Sequence, residues 1–397
     1  MTQISQRVEA LAPSATLAMS QKSSELRAQG VDVINLSVGE PDFNTPDHIK
    51  EAAKRAIDEN FTFYTPVGGY LSLRKAIVDD LARNNGVVYD PAQIVVGNGA
   101  KQALCNVILA TVNPGDEVII PTPAWVSYVE MVKLAGGTNV LVPASIEQNF
   151  KITAQQLRDA ITPRTRMVLI CSPSNPTGSV YSREELAELV EVLAEYPDII
   201  VLADEIYQHI NYTGAFTSLG SFEEIAHRTV VINGVSKAYA MTGWRIGFCA
   251  APTAIAKAVT KLQSQYTSGP SSIAQKAAEA AYNGSQECVE VMRQAFERRR
   301  NLVVELASQI PGLKVNKPDG AFYLFPEVTH YFGKSFGKWT IKDAPDLCMY
   351  LLEEAHVATV SGDAFCLPGY IRLSYATGDD NIREAMRRIA EALAKLK

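Results

Sequence analysis

Lys237 follows a buried-looking apolar run, Val230–Ile232, through the turn Gly234-Val235-Ser236. Most lysines are solvated, but one pressed against a buried strand end loses proton affinity, and its free amine can form a Schiff base. Eight residues on, Arg245 offers a permanent planar cation suited to phosphate. A second run, Ile199–Ala203, leads directly into Asp204-Glu205-Ile206-Tyr207. A carboxylate there is costly to bury unless a cation meets it. A third run, Gln93–Val96, ends in Gly97-Asn98-Gly99-Ala100-Lys101-Gln102 and opens a helical pattern. N–H groups at a helix start attract anions, so this turn is either a phosphate seat or a plain tight connection. It is not a dinucleotide fingerprint, because Gln102 stands where glycine or alanine is needed. The run Met167–Cys171 ends in Ser172-Pro173-Ser174-Asn175-Pro176-Thr177-Gly178, a rigid loop in which Asn175 presents both a donor and an acceptor. An amine, an acid and a phosphate site at strand ends are the set that pyridoxal phosphate chemistry requires.

Such groups meet only if the strand ends share one edge of a sheet. Seven short runs rich in valine and isoleucine fit that requirement: Gln93–Val96, Glu117–Ile120, Thr138–Val142, Met167–Cys171, Ile199–Ala203, Val230–Ile232 and Arg245–Ala250. Continuous apolar character marks strands covered on both faces. Helical patterns lie between them, as in Arg183–Glu195, where Leu186, Leu189, Val190 and Leu193 share a face. The alternation predicts an α/β domain with a mostly parallel sheet. The last third reads as a smaller α+β unit: a long helix over Ser285–Ser308, a strand over Gly320–Phe325, a helix over Asp343–Ala355, strands near Val357–Val360 and Tyr370–Tyr375, and a closing helix over Asp380–Lys395. The basic run Arg298–Arg300 reads as a solvated face of the long helix. A helix is expected over Thr16–Gln29, with the first forty residues packing on the C-terminal unit rather than on the sheet.

The chain has 397 residues, enough for two or three domains and a large core. Lys+Arg total 37 against 43 Asp+Glu, a formal charge of −6 that argues against a nucleic-acid binder. The six cysteines form no CxxC pair and the five histidines no ligand spacing, so no metal site or disulfide framework is expected. The N-terminus lacks the pattern of a signal peptide and no run reaches the length of a membrane span, so a cytoplasmic setting is the default.

The segment Gly234-Val235-Ser236-Lys237-Ala238-Tyr239-Ala240-Met241-Thr242-Gly243-Trp244-Arg245-Ile246-Gly247 resembles the lysine signature of class I aminotransferases. The resemblance extends to Val38-Gly39-Glu40-Pro41-Asp42-Phe43, Tyr64-Thr65-Pro66-Val67-Gly68-Gly69, Pro123-Ala124-Trp125, the Asn175 loop, Asp204–Tyr207 and Ile371-Arg372-Leu373-Ser374-Tyr375, and it spans nearly the whole chain. Within that class the chain is most similar to bacterial aspartate aminotransferases of subgroup Ib. The resemblance implies the pyridoxal-phosphate-dependent transferase fold type I, with a mostly parallel seven-stranded sheet in a large domain and a smaller α+β domain. It implies an N-terminal arm and part of the small domain over 1–45, the cofactor domain over 46–283 and the small domain over 284–397.

It also assigns roles. Lys237 would hold the cofactor and move the proton, Asp204 would keep the pyridine nitrogen protonated, and Tyr207 and Asn175 would contact the ring hydroxyl. Trp125 would stack on the ring, or else serve as an ordinary core tryptophan. The phosphate would be held by N–H groups of Gly99, Ala100 and Lys101, by Arg245, and by Tyr64 of a neighbouring subunit, which implies a homodimer with shared active sites. Where some relatives carry a phosphate-binding serine, this chain has Gly234. Arg372 would bind the substrate α-carboxylate, assisted by Asn175, Trp125 and the backbone at Gly39. Lys101, with Ser14 and Thr16 near it, would read the side-chain carboxylate, or else point to solvent from the first helical turn. The implied reaction is amino transfer from aspartate to 2-oxoglutarate. Transamination of aromatic amino acids, alanine, kynurenine or prephenate is the alternative on the same scaffold.

Overall fold

A computed structural model describes residues 4–397 of the chain. Its centre is a seven-stranded sheet of β1 (Ile94–Asn98), β2 (Glu117–Thr122), β3 (Thr138–Pro143), β4 (Thr165–Cys171), β5 (Ile200–Asp204), β6 (Thr229–Gly234) and β7 (Ile246–Ala250). The spatial order is β1-β7-β6-β5-β4-β2-β3, and only β7 runs antiparallel to its neighbours. Every residue of β5, β6 and β7 is buried, including the polar Asp204, Thr229 and Asn233 that flank the apolar runs. One face carries the core around Ile77, Leu186, Leu189 and Leu193, and the other the core around Leu104, Val107, Tyr128 and Val132. The helix Arg183–Ala194 shows how local sequence sets a boundary. Ser182 accepts a bond from the Glu185 N–H at 3.2 Å, and the Glu185 carboxylate accepts one from the Ser182 N–H at 2.7 Å.

Because β7 is antiparallel, the carboxyl ends of β1, β4, β5 and β6 and the start of β7 lie along one edge. Helix α1 (Ala15–Ala28) precedes the sheet, and helices α2 (Ala100–Thr111) and α3 (Val126–Ala135) begin at that edge. The C-terminal part includes α4 (Glu287–Ser308), the helix Ala344–Glu354, α5 (Asp379–Lys395) and a three-stranded antiparallel sheet, Val360–Ser361, Ile371–Ser374 and Tyr323–Leu324. Ile34–Asn35 pairs in parallel with Val357–Ala358, so Ile34 and Leu36 join the C-terminal core.

The basic run on α4 corrects the expectation from sequence. Arg298 is exposed, but Arg299 and Arg300 are buried at 7% and 4% exposure. Arg299 grips Asp42 with two bonds of 2.7 and 2.9 Å, and Arg300 donates to the Pro318 carbonyl. Helical periodicity separates one face from another, but it cannot show which charged face meets a distant carboxylate.

Candidate active site

The sheet edge opens into a cavity of 380 Å³ lined by residues from both parts of the chain. Asp204 ends β5 and is buried to 3% exposure. Its partners are neutral: the Tyr128 hydroxyl donates to it at 2.5 Å and the Ile206 N–H at 3.2 Å. Burial raises its carboxyl to about 6, a rise that these two bonds and the nearby Lys237 only partly offset. Lys237, just beyond β6, donates to the Gly39 carbonyl at 2.7 Å. Burial, with help from Arg372 and Arg245, lowers its amine to about 8, against the opposing pull of Glu40 and Asp204. An amine so tuned can hold and release a proton near neutral pH.

Arg372 lies in the strand Ile371–Ser374, 2% exposed. It donates to Asn175 Oδ1 at 2.9 Å and to the Ser37 carbonyl at 2.6 Å, and its Nε is buried without a partner. A guanidinium buried among neutral acceptors costs several kcal/mol, on the order of what an added carboxylate would offset. The Tyr323 and Phe365 rings flank it, their centroids 4.6 and 4.9 Å away. The Tyr207 hydroxyl meets that of Tyr323 at 2.7 Å. Trp125 caps α3, with Lys101 Nζ 4.9 Å from its ring centroid. Lys101 lines the cavity together with Ser14 and Thr16, whose hydroxyls lie 2.9 Å apart. Burial and Arg245 lower the Lys101 amine from its ordinary value.

At the other end of the cavity Arg245 adopts a left-handed backbone (φ 59°) and donates to the Thr242 and Asn98 carbonyls at 3.0 and 3.1 Å. Its guanidinium lies against Gly99, where an added Cβ would meet Nη2 at 2.3 Å. The Gly99 N–H turns back to the Gly97 carbonyl at 2.8 Å. The first-turn N–H groups of Ala100 and Lys101 have no carbonyl four residues back within α2 and remain its anion-seeking pair. Gly247 permits this approach, since a Cβ there would stand 2.1 Å from the Ala100 nitrogen. A side chain at Gly234 would meet the Gly247 Cα at 2.7 Å, so a serine there has no room in this packing. Ser236 lines the cavity instead.

The cavity therefore gathers Gly39, Ala100, Lys101, Trp125, Asn175, Asp204, Tyr207, Lys237, Arg245 and Arg372, with Gly99 beside Arg245. Tyr64 stands apart, fully exposed at 100%. Tyr128 and Tyr323 are among the lining residues that were not foreseen. Tyr128 lies one helical turn after Trp125, a spacing that placed it on the same face. Tyr323 sits in the Gly320–Phe325 segment, which carried only a strand signal.

Comparisons with known proteins agree with this geometry. The family model for aminotransferase class I and II matches residues 31–389. An aspartate/prephenate aminotransferase from Nitrosomonas europaea is 49% identical over 395 residues, covering 98% of this chain and 100% of the relative. An aspartate aminotransferase from Geobacillus stearothermophilus is 50% identical, covering 97% and 98%. The crystal structure of an aspartate aminotransferase from Rhizobium meliloti superposes with a TM-score of 0.97 at 44% identity, covering 100% of both chains.

Proposed function

The chain belongs to the class I and II aminotransferases, and on that premise we propose that its cavity moves the amino group of L-aspartate to 2-oxoglutarate, giving oxaloacetate and L-glutamate. The enzyme depends on pyridoxal 5′-phosphate. When bound, this group supplies an electron sink for α C–H cleavage and a carrier for the amino group. The residues present fit it. Asp204 is a buried carboxylate whose hydrogen-bond donors are neutral, as a protonated pyridine nitrogen requires. The glycines at 99 and 247 let the Arg245 guanidinium and the Ala100 N–H close in at the start of α2, where a Cβ would collide with them.

In this reading Lys237 binds the cofactor and carries the proton at the substrate α-carbon. Asp204 holds the proton on the pyridine nitrogen, and Tyr207 and Asn175 hydrogen-bond the ring hydroxyl. Trp125 covers the ring face. Arg245 and the N–H groups of Ala100 and Lys101 hold the phosphate, while the Gly99 N–H, expected to join them, is bonded instead to the Gly97 carbonyl. Arg372 clamps the α-carboxylate in two bonds, which orients the α-hydrogen as well as binding the substrate. Lys101, Ser14 and Thr16 receive the side-chain carboxylate, and the Gly39 segment and α1 screen the reacting atoms from water.

The observation that carries the choice of substrate is the pairing of two cavity cations, Arg372 and Lys101, one for each carboxylate of a dicarboxylic amino acid. Stopped-flow absorbance with aspartate alone should show the cofactor passing from its aldehyde to its amine form, and no change would sink the proposal. Lys101→Ala should lower kcat/KM for aspartate by about 10²-fold while leaving alanine nearly unaffected, as losing a charged hydrogen bond of about 3 kcal/mol would. Equal losses for the two donors would remove the side-chain role. The name of the Nitrosomonas europaea relative favours prephenate as a second acceptor, tested by its ability to regenerate the aldehyde form.

The reading also carries a homodimer with Tyr64 reaching the partner's phosphate, a cytoplasmic setting in keeping with six free thiols, and domains over 1–45 with 284–397 and over 46–283. The pairing of Ile34–Asn35 with Val357–Ala358 supports that division.

A further inference from the structure

The segment from Ser37 to Thr45 crosses between the sheet and the C-terminal unit, and its attachments alternate. The Ser37 carbonyl accepts from Arg372 of the C-terminal unit at 2.6 Å. The Gly39 carbonyl accepts from Lys237 at 2.7 Å, and the Glu40 carboxylate from the Thr242 hydroxyl, both on the sheet side. Asp42 then returns to α4, held by both Nη atoms of Arg299 at 2.7 and 2.9 Å. Phe43 packs edge-on against Phe296 of α4, ring centroids 5.4 Å apart, with the Arg299 guanidinium 5.1 Å from its ring. The Thr45 hydroxyl goes back to the sheet side, donating to the Ala240 carbonyl at 2.7 Å and accepting from Trp244 at 3.0 Å. Gly39 is thus strung between two anchors on the C-terminal unit, Ser37 and Asp42. It cannot be widened either, because a Cβ on it would meet the Tyr323 hydroxyl at 2.3 Å.

We propose that Asp42 and Arg299 are a positioning pair: their fork, outside the cavity, holds the strap so that the Gly39 carbonyl stays in hydrogen-bond contact with the Lys237 amine. A carbonyl that accepts from an ammonium favours the protonated amine. Loosening the strap therefore lowers the proton affinity of Lys237. The charged and titratable groups facing that amine are Glu40 from the strap, Asp204 and Tyr207 from β5 and its continuation, Arg245 from the start of β7, and Arg372 from the C-terminal strand. Asp204, Tyr207, Arg245 and Arg372 belong to other elements, whereas Glu40 rides on the strap, so loosening it also weakens the pull of that carboxylate and lowers the amine in the same direction. The inference rests on Lys237 being the cofactor-binding amine.

The test is the pH dependence of pyridoxal phosphate uptake by the full-length, cofactor-free chain, followed by visible absorbance. Only the deprotonated amine attacks the aldehyde, so the pH of half-maximal rate reports Lys237 directly. Asp42→Asn, Arg299→Met and Arg299→Lys should each move that midpoint down by about half a pH unit, the scale of a weakened bond to a charged donor. Asp42→Asn with Arg299→Met should move it no further than either alone, since both cut one fork. Arg299→Met separates position from charge, because losing a nearby cation would by itself raise the midpoint. Arg299→Lys keeps the charge and loses only the fork. It carries the same reading if Arg299→Met fails to fold, as shown by thermal unfolding. Midpoints that stay fixed, or that rise in Arg299→Met, would overturn the strap. Wild-type chain that takes up no cofactor would instead overturn the assignment of Lys237, which keeps the two failures apart.

Discussion

Asp204 illustrates how a side chain acquires a function from what surrounds it. Its hydrogen-bond donors are neutral and Lys237 adds only a minor pull, so burial raises its proton affinity, and the Tyr128 hydroxyl is its strongest counterweight. Tyr128→Phe should remove that counterweight, lift the Asp204 carboxyl further, and weaken its grip on a protonated ring nitrogen. We expect kcat/KM for aspartate to fall about 10-fold, equivalent to one hydrogen bond to a charged group. Steady-state kinetics would check this, and an unchanged value would make Tyr128 a packing residue only. Glu205 faces the opposite way, accepting from the Ser218 hydroxyl at 2.8 Å and the Leu219 N–H at 3.0 Å. Burial raises its carboxyl from 4.5 to about 8, with Asp204 adding to the rise. Between those values the folded chain holds a proton that the unfolded chain has lost, so this group makes stability fall as pH rises from about 4.5 to 8. Glu205→Gln should flatten that slope, gaining up to about 4 kcal/mol relative to wild type between pH 5 and pH 8.5. Denaturant melts at the two pH values would show it, and parallel losses in both chains would refute it.

At the scale of elements, three glycines lie abreast across the sheet: Gly97 of β1 and Gly234 of β6 both stand in register with Gly247 of β7. The start of α2 rests on this bare patch. Gly247→Ala would drive a methyl group into main-chain atoms that cannot step aside singly, an overpacking of about 1–3 kcal/mol. The expected result is a folded protein whose pyridoxal phosphate Kd is raised about 10-fold or more, measured by absorbance titration. The sequence made the elements legible where burial is complete. The seven runs became β1 to β7 with ends shifted by a few residues, because a strand covered on both faces has little choice of composition. It also exposed Lys237 and Asp204, charges set beside apolar runs where charge is expensive, whereas Arg372 came from the family resemblance alone. It did not expose the partnership of Arg299 with Asp42, 257 positions apart, or the approach of Tyr323 to Tyr207. Those contacts depend on how two separately patterned units dock, which no local period records.

For the whole molecule, the telling residue is the one outside the cavity. Tyr64 is fully exposed, next to Phe63 at 79%, and two adjacent aromatic rings in water form a surface suited to a partner. If a second copy covers them and Tyr64 reaches its phosphate, Tyr64→Phe should raise the cofactor Kd by about 5- to 10-fold without altering the dimer seen by light scattering. A monomer of unchanged affinity would contradict both parts of that expectation. The reversed strand β7 has a mechanical consequence of its own. Because the chain doubles back between β6 and β7, Lys237 and Arg245 sit on a single connection rooted at both ends in the sheet. The amine and the proposed phosphate anchor therefore share one frame with Asp204 and the start of α2. Arg372, the proposed carboxylate clamp, lies in the C-terminal three-stranded sheet. On the proposed roles, swinging that sheet away would open the grip on a departing product while leaving the coenzyme seated, and turnover and cofactor retention would fall to separate parts of the same molecule.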